Sequence, residues 1–548
     1  MKVLIIGGVA GGATAAARLR RLNERAEIVL FEKGGYISFA NCGLPYHIGG
    51  VIDDRNELLL QTPESFNRRF NIDVRVFSEV ISIDRAARRV SVKNLTTGEV
   101  YGEGYDKLIL SPGAAPIRPE IPGIDAKGVF TLRNVADMDK IIEHIRAARA
   151  KTAVIAGGGY IGVEMAENLK RAGLDVSIIQ RSEHVVAPLD YDMACDVHRH
   201  LRQNGVKLYL NNEVAAISKA ADGLKITLKD GDLSADLLMI AVGVRPESGL
   251  ASACGLAVNE RGGIIVDSRM KTSDDDIYAV GDAVAVTDTV TKQSAQIPLA
   301  GPANKQGRIA ADNICGLDSE YESAQGSAIL KVFELTVATT GINEAAAKRQ
   351  KLNCDKIYAW SPGHAGYYPG SKPMSIKVIF EKGRGKILGA QIVGFDGVDK
   401  RCDLLAAAVR LGLTAGDLTK LELCYAPPYG SAKDPVNMVG YMIENVLGGM
   451  VKNFHWHEVD SLPRDGSVTL LDVRSPIELR AGKIDGFINI PLDDLRARIS
   501  ELPKAKPVYV HCHSGQRSYI AARILAQNGY EAYNLSGGFR LYKSIMTR

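Results

Sequence analysis

Two stretches of the chain repeat one pattern: a short unbroken apolar run, a cluster of glycines, then apolar positions returning every three or four residues. Lys2–Ile6 runs into Gly7-Gly8-Val9-Ala10-Gly11-Gly12 and a helical pattern through Arg21. Thr152–Ala156 runs into Gly157-Gly158-Gly159-Tyr160-Ile161-Gly162 and a helical pattern through Ala172. A short apolar run reads as a buried strand and the 3.6-residue period as a helix. One glycine cluster of this kind is weak evidence, but two copies about 150 residues apart, each within strand–turn–helix–strand, predict two dinucleotide-binding units.

From about Gly326 to Leu447 the glycine clusters stop and the pattern mixes strands such as Ser375–Phe380 with helices such as Asp403–Leu411. The helix ending near Leu447 is closed by Gly448-Gly449, a C-cap and the start of a linker. From Phe454 a fresh α/β pattern of about ninety residues begins, long enough for its own small core. The whole chain has 548 residues, which suggests roughly three or four domains.

Composition changes this picture little. Apolar residues make up 46% and charged residues 24%, as in an ordinary globular protein. A net charge of +4 spread over 67 basic and 63 acidic residues gives no nucleic-acid signature, so an anionic partner must be met by a local basic cluster. The apolar start resembles a signal peptide, yet its strand runs straight into the glycine turn, which argues for structure. No other stretch is long and apolar enough to cross a bilayer. Eight cysteines, at positions 42, 195, 254, 315, 354, 402, 424 and 512, include no CxxC pair. That indicates neither a metal site nor a disulfide framework, and fits a cytoplasmic protein with reduced thiols. Most of them are expected to be buried and inert; Cys42 and Cys512 alone sit among residues that suggest chemistry.

Glycines at a strand–helix turn let the backbone approach a pyrophosphate, which then sits at the positive end of the helix. In the first unit Glu32 closes the next strand (Ile28 to Phe31), twenty residues beyond Gly12, where a carboxylate can accept both ribose hydroxyls. Val9 stands where the fingerprint has its middle glycine. Further on, Ile277-Tyr278-Ala279-Val280 leads to Gly281-Asp282, a strand end whose carboxylate suits the ribityl chain of a flavin. In the second unit Gly157, Gly159 and Gly162 fit the fingerprint fully, and Glu164 follows in the first helical turn. Its next strand ends in Gln180-Arg181. A carboxylate at Gln180 would favour NADH; Arg181 could pair with a 2′-phosphate, so the choice between NADH and NADPH stays open.

With those residues in view, Met1 to about Leu447 resembles the pyridine nucleotide-disulfide oxidoreductase superfamily. Tyr105 to Gly113 and Ala241 to Pro246 resemble its two domain-crossing segments. The resemblance implies an α/β fold with two Rossmann-like dinucleotide-binding domains and an α+β dimerisation domain, ahead of the separate C-terminal α/β domain. It places an FAD domain at 1–111 and 245–325, an NAD(P)H domain at 112–244, a dimerisation domain at 326–449 and the last domain at 454–548. Lys33, Pro112 and Gly113 join the implied FAD contacts, and Tyr160, Ile161 and Gly243 the nicotinamide contacts.

Many members carry two cysteines separated by four residues; here the second place, after Cys42, is taken by His47. The oxidised form of Cys42 must therefore contain an external thiol, a persulfide sulfur or a sulfenic acid. The run Ser38-Phe39-Ala40-Asn41-Cys42-Gly43-Leu44-Pro45-Tyr46 resembles the coenzyme A-disulfide reductases. In that family the positions of Thr14, Arg18, Arg21, Ser38, Asn41, Asn304 and Lys433 contact coenzyme A. The family's basic residue near Arg69 is displaced, since Phe70 occupies its place. Tyr425 and Tyr367 match active-site tyrosines, with Tyr368 an adjacent rival, and Tyr425 is expected to reach the Cys42 of a second copy.

Leu470-Leu471-Asp472-Val473-Arg474, then Glu478, Gly486 and Asn489-Ile490-Pro491, then Cys512-His513-Ser514-Gly515-Gln516-Arg517 and Leu535-Ser536-Gly537-Gly538, resemble a single rhodanese domain. Its loop is expected to turn amides inward around Cys512, lowering the thiol's pKa and stabilising a persulfide. The Cys-x4-Arg spacing to Arg517 favours sulfur over the phosphate of a Cys-x5-Arg loop. The expectation is a homodimeric, FAD- and NAD(P)H-dependent enzyme reducing coenzyme A persulfide, polysulfide or coenzyme A disulfide through Cys42. Cys512 handles sulfane sulfur, with no nucleic-acid or membrane partner. The alternatives are an NAD(P)H oxidase or peroxidase working through a sulfenic acid, and a redox-sensing scaffold.

Overall fold

The computed structural model describes residues 1–221 and 223–547. They form two compact units, Met1–Val186 with Gly205–Gly326, and Ala187–Asn204 with Ser327–Arg548.

The first unit holds two five-stranded parallel sheets. In one, Lys2–Ile6 lies between Glu27–Phe31 and Lys107–Leu110, with Asp73–Arg75 and Ile277–Ala279 at the edges. In the other, Thr152–Ala156 lies between Asp175–Gln180 and Leu237–Ile240. Both central strands are buried because helices cover the sheets, which is why their sequences are continuous apolar runs rather than alternating ones. Leu4, Ile5, Leu30 and Ile109 are fully shielded, each burial contributing roughly 1.5–3 kcal/mol. The helices following the glycine turns span Ala10–Leu22 and Tyr160–Arg171, with Arg20, Arg21, Lys170 and Arg171 in their last turns, where cations suit the helix dipole.

The second unit contains a five-stranded antiparallel sheet built from Ala328–Val332, Leu335–Gly341, Ile387–Gly394, Pro373–Glu381 and Cys354–Pro362. The strand expected at Ser375 to Phe380 is thus longer at both ends, and the helix expected from Asp403 begins at Val398. At the end of the Pro435–Leu447 helix Gly448 keeps φ −77° and Gly449 takes the left-handed turn at φ +69°. A five-stranded parallel sheet follows, in the order Lys452–Phe454, Ala532–Leu535, Val508–His511, Thr469–Asp472, Ile488–Asn489.

The helix Tyr191–Gln203 belongs to this second unit. Lys377, fully buried in the antiparallel sheet, places its ammonium 2.8 Å from Asp190 and 2.9 Å from both Asp192 and Glu344. Burial alone would lower the Lys377 pKa; Asp192, Asp190 and Glu344 override it and hold it well above the usual value. Tyr358 Oη and Trp456 Nε1 both donate to Asp192 as well. The network therefore joins the helix, the antiparallel sheet and the start of the C-terminal domain, and removing one member would leave a charge buried without its partner. Among the described residues no helix is long and apolar enough to cross a membrane. Nor do three or more His, Cys, Asp or Glu gather there to hold a metal ion.

Candidate active sites

A cavity of about 1270 Å³ opens at the carboxyl ends of the first sheet. Gly7, Gly8, Val9, Ala10, Gly11, Glu32, Lys33, Pro112, Gly113, Gly281 and Asp282 all line it, and Gly12 packs behind them. Gly7 has φ +97°, and a Cβ there would lie 2.1 Å from the Ser111 carbonyl oxygen. Glu32 accepts the Gly8 N–H at 3.0 Å and the Gly34 N–H at 2.8 Å, which fixes the carboxylate at the strand end. Burial raises the Asp282 pKa, partly countered by Arg133. No described side chain bonds the Asp282 carboxylate, so it is left as an acceptor for a ligand hydroxyl. A cavity of this size, a helix N-terminus, a ribose-ready carboxylate and a half-buried acid with no described side-chain partner fit FAD.

Sequence reasoning missed three supports of this cavity. Arg133 bonds Glu247 at 2.7 Å and the Pro112 carbonyl at 2.9 Å, Lys33 lies 3.2 Å from Glu247, and Gly281 N–H donates to the buried Gln306 at 2.7 Å. Each joins residues far apart in sequence, so no local pattern marks them.

In the second nucleotide unit Gly157 has φ +106° and would bring a Cβ within 2.2 Å of Ala241 O, as Gly7 does in the first. Gly162 packs as tightly on Gly157 O as Gly12 does on Gly7 O. Gln180 accepts the Gly158 N–H at 2.8 Å and donates to Ser182. Ile161, Arg181 and Gly243 are exposed and Tyr160 half-buried along the same edge.

Cys42 lies in a short 3₁₀ turn, Asn41–Gly43, ahead of the helix Leu44–Ile48, and is exposed. Desolvation by its neighbours pushes the thiol up, and the Glu164 and Asp282 carboxylates add to this. His47, in the place of a second cysteine, turns its Nδ1 to the Ile52 carbonyl at 2.7 Å. Asn41 lines the large cavity. Ser38 is held at φ +46° with its N–H on Gly8 O at 2.8 Å, an unusual conformation for a residue with a side chain. Glu164, half-buried beside Tyr46, is pushed up to about 7, by desolvation first, with the Tyr46 hydrogen bond opposing. Thr14 donates to Asn304 at 2.8 Å, Arg18 pairs with Asp312 at 2.6 Å, and Arg21 is exposed.

In the second unit Tyr367 and Tyr425 hydroxyls meet at 2.8 Å, and both residues are exposed, at 75% and 47%. That bond raises the Tyr367 pKa. Tyr368 instead packs its ring against His364. Ala365 N–H donates to Pro427 O, which ties the two tyrosine loops together. Lys433 is exposed beside Asp434, whose carboxylate pairs with the buried Arg401 at 2.9 Å and caps the next helix. The expectation that the remaining cysteines are mostly buried is corrected: Cys195 and Cys402 are, but Cys254, Cys315 and Cys354 are half-buried and Cys424 is exposed.

Strand Val508–His511 delivers Cys512 into a loop ending at Gly515, which takes φ +103° and starts the helix Gln516–Gln527. The sulfur accepts Gly515 N–H at 3.1 Å and Ser518 Oγ–H at 3.3 Å. Only one loop amide is seen turned onto it, with a hydroxyl beside it. Arg517 forms a two-pronged pair with Glu478 at 2.6 and 2.7 Å, and this first of all holds Glu478 down at about 2.

Comparison with known proteins agrees with this geometry. Residues 1–307 match the pyridine nucleotide-disulphide oxidoreductase family, 327–435 its dimerisation domain and 455–545 the rhodanese-like domain. Coenzyme A disulfide reductase of Staphylococcus aureus is 37% identical over 442 residues, covering 80% of this chain and 99% of its own. The crystal structure of reduced Bacillus anthracis CoADR-RHD is 51% identical, with TM-score 0.97 over 100% of this chain and 98% of that one. An NAD-dependent persulfide reductase from A. fulgidus is 37% identical, with TM-score 0.93 over 99% and 100%. The chain belongs to the pyridine nucleotide-disulphide oxidoreductase family, as an NAD(P)H-dependent FAD oxidoreductase with a C-terminal rhodanese domain.

Proposed function

We propose that the chain is a homodimeric, cytoplasmic reductase of coenzyme A persulfide or polysulfide and of coenzyme A disulfide, in which Cys42 alone exchanges sulfur and Cys512 hands on sulfane sulfur. The observation that carries this is the pairing of one lone, exposed thiol with one caged thiol. His47 stands where a resolving cysteine would be and is turned to Ile52 O, so the partner sulfur must arrive with the substrate. Cys512 has two donors trained on its sulfur, a surrounding suited to an anionic persulfide.

Glu32, Asp282 and the Gly7 to Gly12 turn would hold FAD, which supplies the two-electron link between nicotinamide and sulfur. Gly157 to Gly162, Gln180 and Arg181 would hold NADH or NADPH. The thiolate of Cys42 attacks the substrate's sulfur–sulfur bond and expels a thiol, and the raised thiol makes this step depend on proton removal. Glu164 keeps a proton near neutral pH close to Tyr46 and Cys42. Thr14, Arg18, Arg21, Ser38, Asn41, Asn304 and Lys433 are the proposed coenzyme A contacts. A hydroxyl of the Tyr367–Tyr425 pair would protonate a leaving thiolate; the resemblance takes Tyr425 to the Cys42 of a second copy.

The test is stopped-flow reduction of the protein by NADH or NADPH, followed by coenzyme A persulfide, coenzyme A disulfide or oxygen. Rapid reoxidation by the sulfur substrates, at least about a hundredfold slower in Cys42→Ser, is the expected result. Brisk reoxidation by oxygen alone, or full persulfide turnover in Cys42→Ser, would overturn the reading.

A further inference from the structure

Beside the Cys512 loop the second unit encloses a cavity of about 690 Å³, within the range of small-molecule sites. Helix Tyr191–Gln203 contributes Arg199, Arg202 and Gln203, and helix Gly538–Met546 contributes Arg540, Lys543 and Ser544. Spacings of three and four residues put each set on one helix face. The cavity meets the sulfur loop at His513, which follows Cys512 directly, and at Glu478, the partner of Arg517.

The charges here do not cancel. Arg199 and Arg540 share one carboxylate, Asp196, at 2.6 and 2.8 Å, and Ser375 and Ser544 hydroxyls fix that carboxylate further. Burial would raise the Asp196 pKa, but the two guanidiniums hold it down. One anion under two cations leaves a positive excess. Arg202 and Lys543, both exposed, have no carboxylate partner among the described residues; Lys543 donates only to the Ala481 carbonyl at 2.7 Å. Arg474 is cancelled by Asp472, and Glu478 by Arg517. A concave site with a pre-ordered guanidinium pair and two free cations suits phosphate groups, which accept several charge-assisted hydrogen bonds at once.

We propose that this cavity binds the phosphate groups of a phosphorylated thiol that exchanges sulfane sulfur with Cys512. The proposal rests on the sulfur-handling role argued above and adds a second recognition site for that carrier. In the step it serves, the carrier's thiolate attacks the outer sulfur of a Cys512 persulfide. A new sulfur–sulfur bond forms on the carrier as the one at Cys512 breaks. The electron pair of the broken bond stays on the Cys512 sulfur as thiolate, the protonation of the outer sulfur is unchanged by the transfer, and no net oxidation occurs. Thiosulfate can load Cys512 in the test, transferring its sulfane sulfur and releasing sulfite.

The experiment uses the full-length protein, thiosulfate as donor, and as acceptor either coenzyme A or pantetheine, the same thiol arm without phosphates. The expected KM for coenzyme A is at least about tenfold below that for pantetheine, and the advantage shrinks at high salt. In Arg202→Ala/Lys543→Ala the two KM values are expected to converge, whereas Arg202→Lys keeps the preference. Both truncated side chains are exposed, and thermal melting of the purified variant checks that the second unit is folded. A double variant that keeps the full preference, or a wild type without one, overturns the proposal. Failure of the reductase reading shows elsewhere, as absence of persulfide-dependent NAD(P)H oxidation by the wild type, and leaves this acceptor comparison intact.

Discussion

The two nucleotide units of the first compact unit are built on one backbone plan, and three of the matched positions at which they differ set ligand approach and charge. Gly7 and Gly157 take the same left-handed turn under a carbonyl oxygen, and Gly12 and Gly162 make the same helix–strand contact. At the middle fingerprint place stand Val9 and Gly159, at the second strand end Glu32 and Gln180, and two residues past the last glycine Thr14 and Glu164. Val9 has φ −104° and Gly159 φ −75°, both open to any residue, and a Cβ on Gly159 would touch nothing within 4 Å. The outer glycines therefore belong to the fold, whereas the middle one answers only to a ligand's approach. That is why a fingerprint with Val9 in it still closes the first turn.

Breaking the shared part should have the largest effect. Gly7→Ala and Gly157→Ala each force a Cβ into a carbonyl at a positive φ, at a cost of several kcal/mol. Gly7→Ala is expected to purify nearly free of flavin by absorbance. Gly157→Ala is expected to keep flavin but lose at least about a hundredfold in NAD(P)H-driven reduction, since each lesion is confined to one sheet. Gly159→Ala should melt within about 0.5 kcal/mol of wild type while weakening nicotinamide binding. Equal melting losses for Gly157→Ala and Gly159→Ala would remove the distinction between fold and ligand glycines.

Exchanging the strand-end residues sharpens the second difference. Glu32 accepts two amides, and Glu32→Gln replaces one acceptor oxygen with a donor and removes the charge. A lost charge-assisted contact of about 1.5–3 kcal/mol predicts roughly ten- to hundredfold weaker FAD retention in equilibrium dialysis. The converse change, Gln180→Glu, keeps an oxygen for Gly158 N–H and adds a negative charge beside Arg181. It should shift the NADPH-to-NADH ratio of kcat/KM about tenfold toward NADH. An unmoved ratio would mean that the adenine ribose lies away from this strand end.

What the sequence made legible follows the same division. Strand, glycine turn, helix and strand-end acid lie within some thirty residues, so local pattern revealed both nucleotide units and, by its motif run, the Cys512 loop. Tyr367 and Tyr425 came from resemblance, and only the fold brings their hydroxyls together, turning Tyr368 to His364 instead. The Lys377 network, the Arg133–Glu247 pair and the basic cavity were invisible. Arg199 and Arg540 meet at Asp196 across more than three hundred residues, and no periodicity encodes which helix faces which. Cys424 is exposed because it lies in the loop after the Ala415–Thr419 helix, outside any strand or helix.

The smallest predicted effect comes from the third matched position. Thr14 is neutral and tied to Asn304, whereas Glu164 is half-buried and pushed up to about 7 from the usual 4.5. A folded-state pKa raised above the unfolded one favours the folded state at acid pH, and that contribution is lost as pH rises through the folded value. The loss begins as pH passes the usual value of 4.5 and levels off a little above 7, and the part that falls between pH 6 and 8 is about 1.4 kcal/mol, one pKa unit of differential protonation. Glu164→Gln stays neutral throughout, so its denaturation free energy should fall less than wild type between those pH values. The first nucleotide unit carries the neutral Thr14 in the same place, and Thr14→Val should leave the pH slope as it is. If wild type and Glu164→Gln show the same slope, Glu164 is ionised at neutral pH. Its charge then stands beside Cys42 permanently and opposes thiolate formation across the whole working range.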